Sequence, residues 1–209
     1  MSTLAPPTRR RRIPVALLTI LALGLALPAR ADDKPKEGGA ASSAPIGKSS
    51  VQSAASLLDQ LKSAKDATAA HELEAKIWQA WTTSGNADID KLMQQASILM
   101  QIQQFDNALS ILDTIVAKAP DFAEGWNKRA TLLYVMHDYD RSMSDIQKVL
   151  TLEPRHFGAI AGIGLIRLAK GDPAGAVTAY KKVLEIDPQN IGAQQSIKAL
   201  GEQIQGNPI

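Results

Sequence analysis

Three short stretches carry residue types that catalysis uses. His71-Glu72-Leu73-Glu74 opens like the His-Glu-x-x-His helix of zinc proteases, where two histidines one turn apart hold the metal and the glutamate activates water. The second histidine would stand at position 75, which is Ala75. Asp138 and Asp140 form a close carboxylate pair of the kind that moves protons, but they flank a turn, where aspartate is favoured as a helix cap. Gly162-Ile163-Gly164 begins like a dinucleotide loop yet lies inside an apolar helical stretch, where glycine serves packing. His137 and His156 fall at turns, which suits solvated or capping roles. The sequence contains no Gly-x-Ser-x-Gly elbow and no Gly-x-x-x-x-Gly-Lys phosphate loop. Cysteine is absent, which removes thiolate metal sites, disulfides, a cysteine nucleophile and a lipoprotein-type lipid anchor. We therefore expect no catalytic residue, no metal ligand and no cofactor.

The charge is unevenly placed. Arg9 to Arg12 precede an apolar run of 15 residues, Ile13 to Leu27, and Pro28 then leads into Ala29-Arg30-Ala31. This is the order of a secretory signal: a basic start, an apolar middle and small residues at the cleavage site. The reading makes residues 1–31 a signal peptide cut after Ala31 and puts the protein in the periplasm or outside the cell; a retained N-terminal anchor is the alternative. The run is short for a membrane span, which needs about 20 residues, so no span is expected in the mature chain. Five of the 23 basic residues lie in this segment, so the remainder carries 18 basic and 21 acidic residues. A net charge of −3 after cleavage gives no basic stripe for nucleic acid.

The elements that would position any site come next. Residues 32–50 hold no large apolar side chain except Ile46 and read as a flexible linker. From Val51 to about Gln205 the apolar spacing is helical, and no bounded run alternates with period two. Pro120, Pro154 and Pro188 recur every 34 residues. At the same interval come the apolar pairs Ile115-Val116, Val149-Leu150 and Val183-Leu184, and the small residues Ala108, Ser142 and Ala176. Two further sets share the period: Ala96, Ala130 and Gly164, and Leu92, Trp126 and Ile160. Five aligned positions over three units define an internal repeat.

The unit resembles the tetratricopeptide repeat, a helix–turn–helix of this length. Ala123 to His156 matches best, with Trp126, Ala130, Asp138-Tyr139-Asp140 at the turn and Leu152-Glu153-Pro154 at the close. The resemblance implies an all-α, right-handed superhelix with repeats at 89–122, 123–156 and 157–190. An amphipathic helix over 191–205 reads as a C-terminal cap, with Ala193, Ile197, Leu200 and Ile204 on one face. Residues 51–85 read as an N-terminal helical hairpin, either a cap or a degenerate repeat, since Asn86 stands where the proline would fall. Asp172-Pro173 should cap a helix, and Asp121 with Glu124 reads as a capping box.

In the resembled family the first helix of each unit lines a concave groove for peptides or partner helices. By register the groove residues here are Met93, Ser97, Met100, Asn127, Thr131, Tyr134, Ala161, Leu165 and Leu168. That lining suits an amphipathic or extended peptide, unless residues 51–84 fold into the groove and fill it. The repeats that clamp a C-terminal carboxylate use basic and asparagine side chains in several units; here Lys128 and Arg129 lie in one. The resemblance implies an exported, non-enzymatic scaffold for protein or peptide partners. The alternatives are a structural protein that self-associates as a homo-oligomer and an enzyme of unrecognised type. Trp78 and Trp81, three apart on one helix, read as core in preference to an exposed aromatic patch.

Overall fold

The structure is a computed structural model and describes residues 53–205. The segments read as a signal peptide (1–31) and a flexible linker (32–50) lie outside the described residues. The described chain is nine α-helices with no strand, a helical-repeat superhelix. In order they are α1 (Ala54–Lys62), α2 (Ala67–Thr82), α3 (Ala87–Gln101), α4 (Phe105–Lys118), α5 (Ala123–Val135), α6 (Tyr139–Leu152), α7 (Phe157–Ala169), α8 (Pro173–Ile186) and α9 (Ile191–Gln205). None is long and apolar enough to cross a membrane.

Local chemistry sets most of the helix ends. Asp138 accepts from Arg141 N–H, and Asp172 accepts from Gly175 N–H with Pro173 in the first turn. Asn86 does the work of a cap in place of a proline, accepting from Asp88 and Ile89 N–H at the start of α3. Pro120, Pro154 and Pro188 each follow a helix that ends two residues earlier. The capping box expected from Asp121 and Glu124 does not form. Phe122 stands at the cap position without a side-chain bond, and Glu124 is turned inward to His156 and Asn127.

Helices α3–α4, α5–α6 and α7–α8 pack as hairpins, and each second helix also meets the next first helix. Small buried residues permit the close approach: Ala96 with Ala108 in the first hairpin, Ala130 with Ser142 in the second, Gly164 with Ala176 in the third. Ser142 Oγ donates to the carbonyl of Ala130 at 2.8 Å, so even its hydroxyl is satisfied across the pair. At Gly164 an added Cβ would come within 2.8 Å of the Tyr180 ring. Arg129 ties three helices together: Nε and Nη2 donate to the buried Asp145 carboxylate of α6, both at 2.8 Å, and Nη1 donates to Asp113 of α4 at 2.8 Å. Its guanidinium also lies 4.9 Å from the centre of the Trp126 ring.

The hairpin α1–α2 follows a different rule. Its contacts run to α8 and α5, and its Leu57, Leu58, Leu61, Ile77 and Trp81 share one core with Phe157, Ile160, Tyr180, Val183 and Leu200. The segment is a helical hairpin, as its sequence suggests, and it packs against α5, α7 and α8. The face of α3 that a preceding repeat would cover stays open. Ile98 and Ile102 are 51% and 58% exposed, whereas Leu132 and Ile166, the counterparts of Ile98 one and two repeats on, are fully buried.

Candidate partner-binding face

Helices α5 and α7 touch, so the inward residues of the second and third repeats lie on adjacent helices. Six of the groove residues read from the sequence are half-exposed: Ser97, Met100, Thr131, Tyr134, Leu165 and Leu168. Ser97 Oγ donates to the Met93 carbonyl and Thr131 Oγ1 to the Asn127 carbonyl, so both hydroxyls spend their proton on their own helix. Tyr134 lies against Tyr139, with ring centres 5.7 Å apart, and burial pushes its phenol above the ordinary range. Met93 and Asn127 are different, being buried: Met93 joins the core between α3 and α4, and Asn127 Nδ2 donates to Glu124 at 2.9 Å. Ala161 and Leu168 pack against the core that includes the hairpin.

The inward face thus has a covered end and an open end. The covered end begins one turn before Asn127 and Ala161, at Glu124 and Gly158. Trp78 of α2 lies directly on Gly158, where an added Cβ would come within 2.7 Å of its ring. Trp81 stacks on His156, with ring centres 4.1 Å apart and planes 12° from parallel, and Trp78 meets Trp81, His156 and Phe157 edge-on at 5.5 Å each. His156 is fully buried and caps α7, its Nδ1 accepting from Ala159 N–H. That bond places the ring proton on Nε2, which donates to Glu124 Oε2 at 3.3 Å. Glu124, 3% exposed, is further approached by Lys128 Nζ at 4.0 Å. The sequence marks Glu124 only as half of a capping box and gives Gly158 no role. Extending the inward register back one turn from Met93, Asn127 and Ala161 would have found them.

Two polar ties hold the hairpin at its edges. Arg155, in the loop before α7, pairs with Asp59 and donates to the Ala55 carbonyl of α1. Asn190, which caps α9, donates through Nδ2 to Glu74 of α2 at 3.1 Å and to Asp187 at 3.0 Å. Burial, reinforced by the Asp187 carboxyl, raises the Glu74 carboxyl from 4.5 to about 8, with the Asn190 bond opposing. Exposed His71 lies 3.6 Å from Glu74. The hairpin has one uncompensated polar atom: the buried Trp81 Nε1 finds no acceptor among the described residues.

The residues marked in the sequence as candidates for chemistry have structural partners here. The described residues hold no group of three His, Asp or Glu placed to bind a metal. Asp138 caps α6 and pairs with Arg141, while Asp140 pairs with Lys170, so the two carboxylates serve different partners. Arg129 is consumed by Asp145 and Asp113 and is not free to clamp a partner's carboxylate.

Comparison with known proteins agrees with this architecture. A family profile described as a tetratricopeptide repeat matches residues 127–191. A TPR repeat-containing protein of Rhizobium etli is 40% identical over 151 residues, which make up 72% of this chain and 74% of that protein. Among solved structures, the Sgt2 TPR domain from Aspergillus fumigatus is similar with a TM-score of 0.54 and 18% identity, over 59% of this chain and 87% of that one. The first TPR of Spaghetti (RPAP3) bound to the HSP90 peptide SRMEEVD has a TM-score of 0.53 and 18% identity, over 56% of this chain and 93% of that one. At such identities the two structures share the fold.

Proposed function

Because the chain belongs to the tetratricopeptide repeat family, we propose that it is an exported scaffold that holds a protein or peptide segment on the inward face of its first helices. The observation that carries this reading is that the face already holds a helix. α2 lies on Gly158 and His156 with its aromatic side chains, and the open end beyond it presents half-exposed Met100, Tyr134 and Leu165, with half-exposed Leu168 at the border of the hairpin's core. Apolar side chains with adaptable methionine next to a hydrogen-bonding phenol suit an amphipathic segment. The similar RPAP3 domain is a peptide complex, which supports a partner of this kind; the consumed Arg129 argues against recognition by a terminal carboxylate. The reading includes no catalytic step.

Replacing Met100, Tyr134 and Leu168 together by glutamate should abolish crosslinks between this face and its partner in an envelope extract. Crosslinks that persist unchanged in a folded variant would remove the face from the account. Export is supported by the order of Arg9–Arg12, Ile13–Leu27 and Ala29–Ala31. Mass spectrometry of protein recovered from the periplasm or medium should give an N-terminus at Asp32; a full-length chain in the membrane fraction would identify an anchor instead.

A second reading rests on the uncovered α3 face. Ile98 stands where the following repeats bury Leu132 and Ile166, Ile102 is exposed one turn further on, and a second copy of the chain would cover both in a homo-oligomer. Light scattering should show mass rising with concentration, and Ile98→Glu with Ile102→Glu should hold the chain as a monomer. A concentration-independent monomer in the natural chain excludes this reading.

A further inference from the structure

We infer that α1–α2 is a built-in occupant of the partner face, a plug that an external helix must displace. The inference rests on the reading of that face as a partner site and adds its regulation and the chemistry of its ligand. Three independent observations support it. First, the hairpin covers inward positions of two repeats: it lies on Gly158, and Glu124 and Asn127 beneath it are 3% and 9% exposed. Second, its seat is imperfect for a permanent core. Trp81 Nε1 is buried without an acceptor among the described residues, and Asn190 must serve two carboxylates at once, Glu74 and Asp187. A buried donor left unpaired and two carboxyl groups brought together are both unfavourable, so the docked state is less stable than its apolar contacts alone would make it. Third, the tether allows movement. The four residues Thr83 to Asn86 join α2 to α3, and Gly85 sits at φ +76 with nothing within 4 Å of where a Cβ would lie. A left-handed glycine in open space can rotate without a side-chain clash, although Ser84 N–H donates to Asp90 and Ser84 Oγ bonds Asn86, ties that an opening must break.

The plug also specifies what replaces it. The residues that α2 presents are Glu74, Trp78 and Trp81, a carboxyl group followed by aromatics four and seven residues on, which lie along one helix face. Each has a receptor group: Asn190 for Glu74, Gly158 for Trp78, His156 for Trp81. The external ligand is therefore an amphipathic helix with the same acidic–aromatic–aromatic stripe, and its apparent affinity is reduced by the fraction of molecules in which the plug is seated.

The test uses the full chain and a fluorescent synthetic peptide of residues 66–84. In the natural chain the peptide competes with the tethered copy and binds weakly. Trp81→Ala in the chain should tighten peptide binding by about tenfold or more, as the open fraction rises. Arg155→Glu, which repels Asp59 from a surface position and leaves the core intact, should tighten it several-fold. A peptide with alanine at both tryptophan positions should lose binding in each case. Unchanged affinity in both variants, with circular dichroism showing both folded, overturns the plug. The outcome is separable from that of the groove substitutions: tighter peptide binding with crosslinks that survive at Met100, Tyr134 and Leu168 sinks the partner reading alone, and the reverse sinks the plug alone.

Discussion

The array α3–α8 and the hairpin α1–α2 are built from the same kind of part. Both consist of paired helices, and a four-residue loop joins every pair to the next element: 83–86, 119–122, 153–156 and 187–190. They are held in place by different means. Within the array, small residues recur at the helix crossings, and Arg129 fastens α4, α5 and α6 through two carboxylates. The hairpin instead lies across the array on one shared apolar core, an aromatic stack, one surface ion pair and an amide shared between two carboxyl groups. The array is a nearest-neighbour solid in which each contact is repeated by the next unit. The hairpin is a single long-range docking event, and such an element opens locally before the whole molecule unfolds.

That contrast can be broken from either side. Arg129→Ala should have the largest effect, about 3–5 kcal/mol, because it leaves Asp145 buried without its partner; calorimetry should show the array melting at a much lower temperature. Trp81→Ala should remove about 3 kcal/mol from the hairpin seat while leaving the array's unfolding midpoint in denaturant nearly unchanged. Gly164→Ala should lower the array's stability by about 1–3 kcal/mol, since the new methyl meets the packed Tyr180 ring, and the loss should show in the same denaturant titration.

A further effect is a pH dependence confined to the hairpin. The docked Glu74 carboxyl, raised from 4.5 to about 8, holds its proton more tightly than the unfolded one. Its contribution is therefore whole below pH 4.5 and is lost as pH rises through about 8, at up to about 1.4 kcal/mol per pH unit in between. His71 is 3.6 Å away, so both arms of the comparison should carry His71→Gln. Glu74→Gln, which cannot ionise, should flatten the difference in hairpin stability between pH 5 and pH 8; an unchanged slope would assign the dependence to another group.

The same contrast explains what could be read from the residues alone. Every contact that defines a repeat recurs 34 residues later, so Ala96, Ala108 and Pro120 announce themselves through Ala130, Ser142 and Pro154. The hairpin's partners have no such echo. Arg155 reaches Asp59 across 96 residues and Asn190 reaches Glu74 across 116, and nothing in local spacing ties either pair. The inward register placed the half-exposed residues of the open end. It could not show that Asn127 would be buried with Glu124, because that follows from where α2 lands. Asp121 missed its cap for a related reason: Glu124 gains two buried hydrogen-bond partners, Asn127 and His156, that no capping geometry offers.

Native-state hydrogen exchange, followed helix by helix, tests the central claim most directly. If the hairpin is a separate occupant of the array's inward face, amides of α1 and α2 exchange through a local opening of lower free energy than those of α3–α8, and Trp81→Ala lowers protection in α1 and α2 alone. Equal protection across all nine helices, lost together in that variant, would make the hairpin part of one indivisible core and contradict the account.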